Sequence, residues 1–205
     1  LARIALDEGA VDEAEAHLAG AIGSQADEVR ALVLLRRGQD EAARETAETA
    51  LASEERPLRR ARLYSVLGFA HHAAGRSLSS FEAYDRAVRY AEDAGSLVEQ
   101  ATYLTGVGAA ACDLGRVSVA ISASRRAALL FERLSRPRLA ARAWLTQAAA
   151  EALLGRVEEV REARILVDDF GRNDPKARAY ARFALIDALL SNSSEPVPEA
   201  RTLFD

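Results

Sequence analysis

A Gly-Arg pair returns every 40 residues through the middle of this chain, at Gly75-Arg76, Gly115-Arg116 and Gly155-Arg156. A fixed period of this length marks one supersecondary unit copied and stacked on itself. Such a unit cannot bury its own apolar face, so its stability comes from the neighbours it stacks on. In the same register residues 57–96, 97–136 and 137–176 agree at further positions. Ala61, Ala101 and Ala141 align, as do Gly68, Gly108 and Ala148. Ala83, Ala123 and Ala163 form another set, and Ala87, Ala127 and Val167 a fourth. Pro57 and Pro137 open two of the units.

Composition decides between helix and strand. The 205 residues include 44 Ala, 26 Leu and 26 Arg, against 13 Val, 5 Ile and 6 Thr. Ala, Leu, Arg and Glu lose little on entering a helix, whereas β-branched side chains lose rotamer freedom there. The expected fold class is therefore all-α, with no large sheet. Each unit reads as two helices. The first runs from the Pro or Ser at its start to just before the Gly, where a left-handed residue ends a helix at no cost. Tyr64, Leu67, Gly68 and His71 fall at i, i+3, i+4 and i+7, one face of a helix. The small residue in the middle lets the paired helix come close.

With the pairs laid out, the pattern resembles the tetratricopeptide repeat. That family carries a bulky residue, then an apolar and a small one in its first helix, followed by a small and an aromatic residue in its second. Tyr64-x-x-Leu67-Gly68, Trp144-x-x-Gln147-Ala148 and Tyr180-x-x-Phe183-Ala184 match the first part. Ala83-Tyr84 through Ala87 matches the second, with Ala120 and Ala127 in the same register after Gly115. Gly9 before Ala14 and Gly38 before Ala43 repeat the five-residue offset of the Gly-to-Ala step near the start.

The period of 40 exceeds the family's usual 34. It resembles the long-helix subtype of kinesin light chains and bacterial signalling regulators. Gln147, Glu151 and Arg164 depart from the pattern, standing where apolar residues are usual. The resemblance implies a right-handed α-solenoid of antiparallel helix pairs, about 12 helical stretches in five to six repeats. Residues 1–205 form a single array on this reading, with repeats at roughly 1–23, 24–56, 57–96, 97–136, 137–174 and 175–205. An insertion, Ser193-Ser194-Glu195-Pro196-Val197-Pro198, interrupts the last of them.

No catalytic set is legible, and an enzyme is not expected. Gly106-Val107-Gly108-Ala109-Ala110-Ala111 mimics a dinucleotide fingerprint, but that motif needs a strand before it, and the repeat register already accounts for Gly108. Asp168-Asp169 with Asp174 resembles the paired carboxylates of helical prenyl-diphosphate enzymes. Those enzymes need a second acidic cluster and an aromatic cavity, and this chain is 6% aromatic. His71 and His72 are adjacent and point about 100° apart on a helix, too divergent to chelate one ion. Cys112 has no histidine partner in any recognised arrangement. Neither a metal nor a cofactor is expected.

The lone cysteine favours a reducing, cytoplasmic setting. No apolar run reaches the roughly 18–20 residues of a membrane helix, and neither membrane nor nucleic acid is expected as a partner. Asn192-Ser193-Ser194 is a glycosylation acceptor only in a secretory context. Leu1 to Leu6 reads as mid-helix in a chain that lacks Met, which predicts a piece of a longer or processed protein. The 26:1 ratio of Arg to Lys suggests a GC-rich bacterial genome.

What remains is the groove. The resemblance places the first helices of successive units on a concave face. By helical phase, Arg59, Arg62, Ser65, Phe69 and His72 then point into it. Glu99, Thr102, Thr105 and Cys112 follow from the next unit, and Arg138, Arg142 and Leu145 from the one after. Residues 57–154 carry 13 basic and 8 acidic groups, which favours an acidic protein or peptide. Arg grips carboxylates with two parallel hydrogen bonds, and Phe supplies area that binding desolvates. With only Lys176 and no groove Asn, the chain departs from the members that clamp a terminal carboxylate.

The expected function is a protein–protein interaction scaffold holding a partner peptide or helix in this groove, within a larger bacterial protein. The alternative is a ligand- or peptide-sensing regulatory domain of a bacterial signalling protein or transcription regulator.

Overall fold

A computed structural model describes residues 1–156 except Glu8, together with residues 158–162 and Ile165. The Asp168-Asp169 and Asp174 cluster, the Tyr180 unit, the Asn192 acceptor and the Ser193–Pro198 insertion lie outside the described residues, as do Ala163, Arg164 and Val167.

Nine helices follow one another among the described residues, with no strand. They are α1 (Ala2–Asp7), α2 (Val11–Leu18), α3 (Ser24–Arg36), α4 (Asp40–Leu51), α5 (Pro57–Ala73), α6 (Ser77–Asp93), α7 (Leu97–Asp113), α8 (Val117–Arg133) and α9 (Pro137–Ala152). The helices pair along the chain as the repeat register predicts. The pairs α3–α4, α5–α6 and α7–α8 fill 24–56, 57–96 and 97–136.

The turn chemistry is the same at each Gly-Arg pair. Gly75, Gly115 and Gly155 have φ of +69°, +66° and +65°. Each glycine N–H donates to the carbonyl three residues back, at 2.9 Å in every case. The Arg76, Arg116 and Arg156 N–H groups donate to the carbonyls of His71, Ala111 and Glu151, at 2.8, 2.8 and 3.1 Å. This is the bonding that closes a helix with a left-handed residue and satisfies its last carbonyls. The second turn of each unit repeats the device at Gly95, but 40 residues on the left-handed position belongs to Ser135, at φ +54°. Pro57 and Pro137 stand in the first turn of α5 and α9, where the missing N–H costs nothing.

The chain divides into two compact units, Leu1–Tyr103 and Leu104–Asp205, and the division falls within α7. In the first unit each second helix packs on the first helix before it and on the one after it. Leu63, Val66 and Leu67 of α5 pack with Ala43, Ala47 and Ala50 of α4 and Ala83 of α6. Alanine on the facing helices permits this close approach. Gly68 takes it furthest, because a Cβ there would stand 2.8 Å from the Tyr84 ring. The Tyr64 and Tyr90 rings stack at 5.4 Å, nearly parallel, with Arg60 over Tyr90 and Arg86 over Tyr64.

In the second unit Gly108 plays the part of Gly68, and a Cβ there would meet the Ser124 hydroxyl. Ala120, Ala127 and Phe131 of α8 are buried. So are Ala141, Trp144 and Ala148 of α9, where the Trp144 Nε1–H donates to Glu132 at 2.8 Å. Glu151 is buried too, and its carboxylate accepts from Arg156 at 3.1 Å and from Gln147 at 3.4 Å. Two polar residues at expected apolar positions are thus absorbed by bonding to each other and to the turn.

Candidate functional site

In the first unit α3 and α5 run side by side in one direction. The Gln25 side-chain oxygen accepts from Arg59 at 2.6 Å, and Glu28 accepts from Arg62 at 3.4 Å. Both pairs are 34 residues apart, so the two helices advance in step. The start of α7 joins the same face, where Glu99 accepts from Arg62 at 2.9 Å. Arg3 reaches Glu28 from α1 at 3.0 Å. The first helices of successive repeats therefore share one face, and Arg62 links three of them.

The groups on this face satisfy one another. Glu28 is 3% exposed. Burial raises its carboxyl above the usual range, against the lowering pull of Arg62, Arg3 and Arg59. Burial would do the same to Glu99, but the Ser96 hydroxyl and Arg62 bond to it and hold it below its ordinary value. Arg62 is held above its usual range: burial opposes its charge, but the hydrogen bond to Glu99 and the charges of Glu28 and Glu99 outweigh it. Arg59 also lies 3.6 Å from Glu54, which is buried at the end of α4. The Ser65 hydroxyl donates to the Arg62 carbonyl at 2.7 Å and shares a hydrogen bond with the Tyr103 phenol. Tyr103 is buried, and desolvation pushes its phenol well above the ordinary range.

Of the expected groove residues, Arg59, Arg62 and Ser65 sit on this face with their polar groups engaged inside the chain. Phe69 lies two turns beyond Arg62 and is 47% exposed. His72 and Thr102 are exposed, and the Thr102 hydroxyl donates back to the Val98 carbonyl at 2.8 Å.

In the second unit Thr105 is half-buried, whereas Arg138 and Arg142 are exposed on α9. Leu145 is half-buried, as is Cys112, whose thiol is pushed up to about 11 by desolvation and by Asp113. Leu104, Ser118, Val119, Ser122, Ala123 and Arg126 line a shallow depression of about 300 Å³.

Sequence reasoning missed Glu28, Gln25 and Glu54. The signal was available as the 34-residue spacing of Gln25–Arg59 and Glu28–Arg62. That is the ordinary repeat length, hidden because the chain's plainest period is 40.

The segment that mimics a dinucleotide fingerprint, Gly106 to Ala111, lies inside α7, with no strand before it. Among the described residues no cluster of His, Cys, Asp and Glu is placed to hold a metal ion. Nor is any described helix long and apolar enough to cross a membrane.

Compared by sequence, the chain matches no protein-family model and no curated protein. Compared by structure, it superimposes on BtubC (BKLC) from P. vanneervenii with a TM-score of 0.71 at 16% identity, covering 87% of this chain and 76% of that one. It also superimposes on a Podosopora anserina protein described as a kinesin light chain with nearly identical TPR-like repeats. There the TM-score is 0.68 at 17% identity, over 88% of this chain and 90% of that one. A single-substitution variant of the same protein gives 0.69. The chain has a tetratricopeptide-like (TPR-like) repeat fold. Within that fold α3, α5, α7 and α9 are the first helices of their repeats, and the bonded face of the first unit is built on three of them.

Proposed function

We propose that this TPR-like chain is a protein–protein interaction scaffold that docks a helix or extended peptide of a partner on the face of its first helices. The observation that carries this reading is Phe69, a large aromatic left 47% exposed on a face whose neighbouring polar groups are already bonded. Aromatic anchors of this kind supply much of the energy of peptide docking, because they bury area at little entropic cost. The repeat fold supports the reading, since stacked helix pairs present extended faces of this type. The skewed use of Arg over Lys and the lone cysteine support a setting in the cytoplasm, within a larger bacterial protein. Arg138 and Arg142 of the second unit, both exposed, are the groups suited to acidic residues of the partner.

Site-specific photo-crosslinking tests the reading. A photoreactive residue at Phe69 should trap a discrete partner in cells of the source organism, and one at the exposed Glu82 of α6 should not. Equal trapping from both positions, or none from either, sinks it.

A further inference from the structure

We infer that the first-unit face recognises an uncharged, apolar side chain of its partner, seated between Phe69 and Leu35, and that Arg62 braces this face rather than binding a carboxylate. The inference rests on the docking reading above and names the chemistry of the occupant.

Three observations lead to it. First, the charges on the face cancel. Arg3 and Arg62 meet Glu28, Arg62 also meets Glu99, and Arg59 meets Glu54. An incoming carboxylate would have to displace a glutamate already in place, exchanging one ion pair for another while leaving a buried carboxylate such as Glu28 uncompensated. Breaking a buried pair in that way is costly.

Second, the register of the two hydrogen bonds between α3 and α5 continues past the ionic layer. Gln25 faces Arg59 and Glu28 faces Arg62, each 34 residues on. The same offset sets Leu35 opposite Phe69. Both lie seven residues beyond the Glu28–Arg62 pair, about 10 Å along the helices and within roughly 20° of the same phase.

Third, this second layer is apolar and unfinished. Leu35 is half-buried against the core of the first unit, while Phe69 remains nearly half exposed. The face is thus zoned, with a self-neutralised ionic layer near the N-terminal ends of α3 and α5 and an apolar layer near their C-terminal ends. Charge complementarity selects a neutral, apolar occupant for the second layer, because the first has no net charge left to offer.

The probe for this is a phage-displayed library of random 12-residue peptides, selected on the full chain after depletion on the Phe69→Asp variant. Phe69 is exposed, so that variant should keep its helical circular dichroism. The recovered peptides should share a large apolar residue with no enrichment in Asp or Glu. A synthetic peptide of that sequence should bind the Phe69→Ala variant about 30-fold more weakly than the unmodified chain, the scale of a lost hot spot. Its affinity should change less than about two-fold between low and high salt, since screening acts on exposed charge pairs.

Acid-rich peptides whose binding collapses in salt would overturn the inference and leave docking intact. So would recovered peptides that bind the Phe69→Ala variant as tightly as the unmodified chain. Recovery of no peptide at all would overturn the docking reading with it.

Discussion

Glu54 and Glu28 are both almost fully buried in the first unit, yet burial does not win at both. Glu54 accepts from Arg56 through both side chain and backbone and from the Ser24 hydroxyl, at 3.0, 3.0 and 2.7 Å. The Arg56 guanidinium first, and the other donors with it, lower its carboxyl to about 2 despite desolvation. A carboxyl lowered on folding stabilises the fold above its unfolded value, near 4.3, and the gain is lost as pH falls toward the folded value. Glu54→Gln should therefore lower the melting temperature at pH 7. The gap to the unmodified chain should close between pH 4.5 and pH 2. A gap that stays constant down to pH 2 would show that Glu54 acts through packing alone.

Glu28, raised by burial, has the opposite slope, because its folded form takes up a proton more readily than the unfolded one. The type and position of Arg62 were legible from helical phase, but its engagement was not. Whether an arginine grips a partner or a neighbour depends on residues 34 and 37 positions away in other helices, which phase within one helix cannot supply.

At the level of the helix pair, the turns carry the signal that made the sequence readable. A left-handed residue ends α4, α6 and α8 by one device, with Gly95 and Ser135 at matching places in successive units. At Ser135 the N–H donates to Glu132 at 2.9 Å and the next N–H to Phe131 at 2.8 Å, the same pattern as Gly95 and Ser96. The bonding is kept while the residue pays the steric cost of a Cβ in the left-handed region, about 1–2 kcal/mol. Part of any gain from glycine is lost to its freer unfolded chain. Ser135→Gly should accordingly stabilise the protein by roughly 0.5–1 kcal/mol in urea unfolding, and a loss of stability would mean that the serine hydroxyl contributes a bond of its own. Helix boundaries followed from Gly and Pro because these residues act through their own backbone. Gln147 and Glu151 looked like errors in the pattern because their compensation comes from Arg156, across a turn.

For the molecule as a whole, a stack held by nearest neighbours need not unfold as one body. The single tryptophan, Trp144, is buried in the second unit and bonded to Glu132, so its fluorescence reports on that unit alone. Leu63 lies fully buried in the first unit. Leu63→Ala should cost about 2–5 kcal/mol where it acts. The mutation should lower the urea midpoint seen by circular dichroism more than the midpoint seen by Trp144 fluorescence. Equal shifts in both probes would show that the chain unfolds all at once.

The identical turns at Gly75 and Gly115 have a consequence at the level of the gene. Helices α5, α6, α7 and α8 each span 17 residues, and matching helices begin 40 residues apart. Unequal crossing-over between the two coding segments would add or remove 40 codons at once. Each junction would then find the hydrogen bonds it needs already encoded on both sides. Such a gene can change the length of its product by recombination in single steps, every one of them ending on a closed helix.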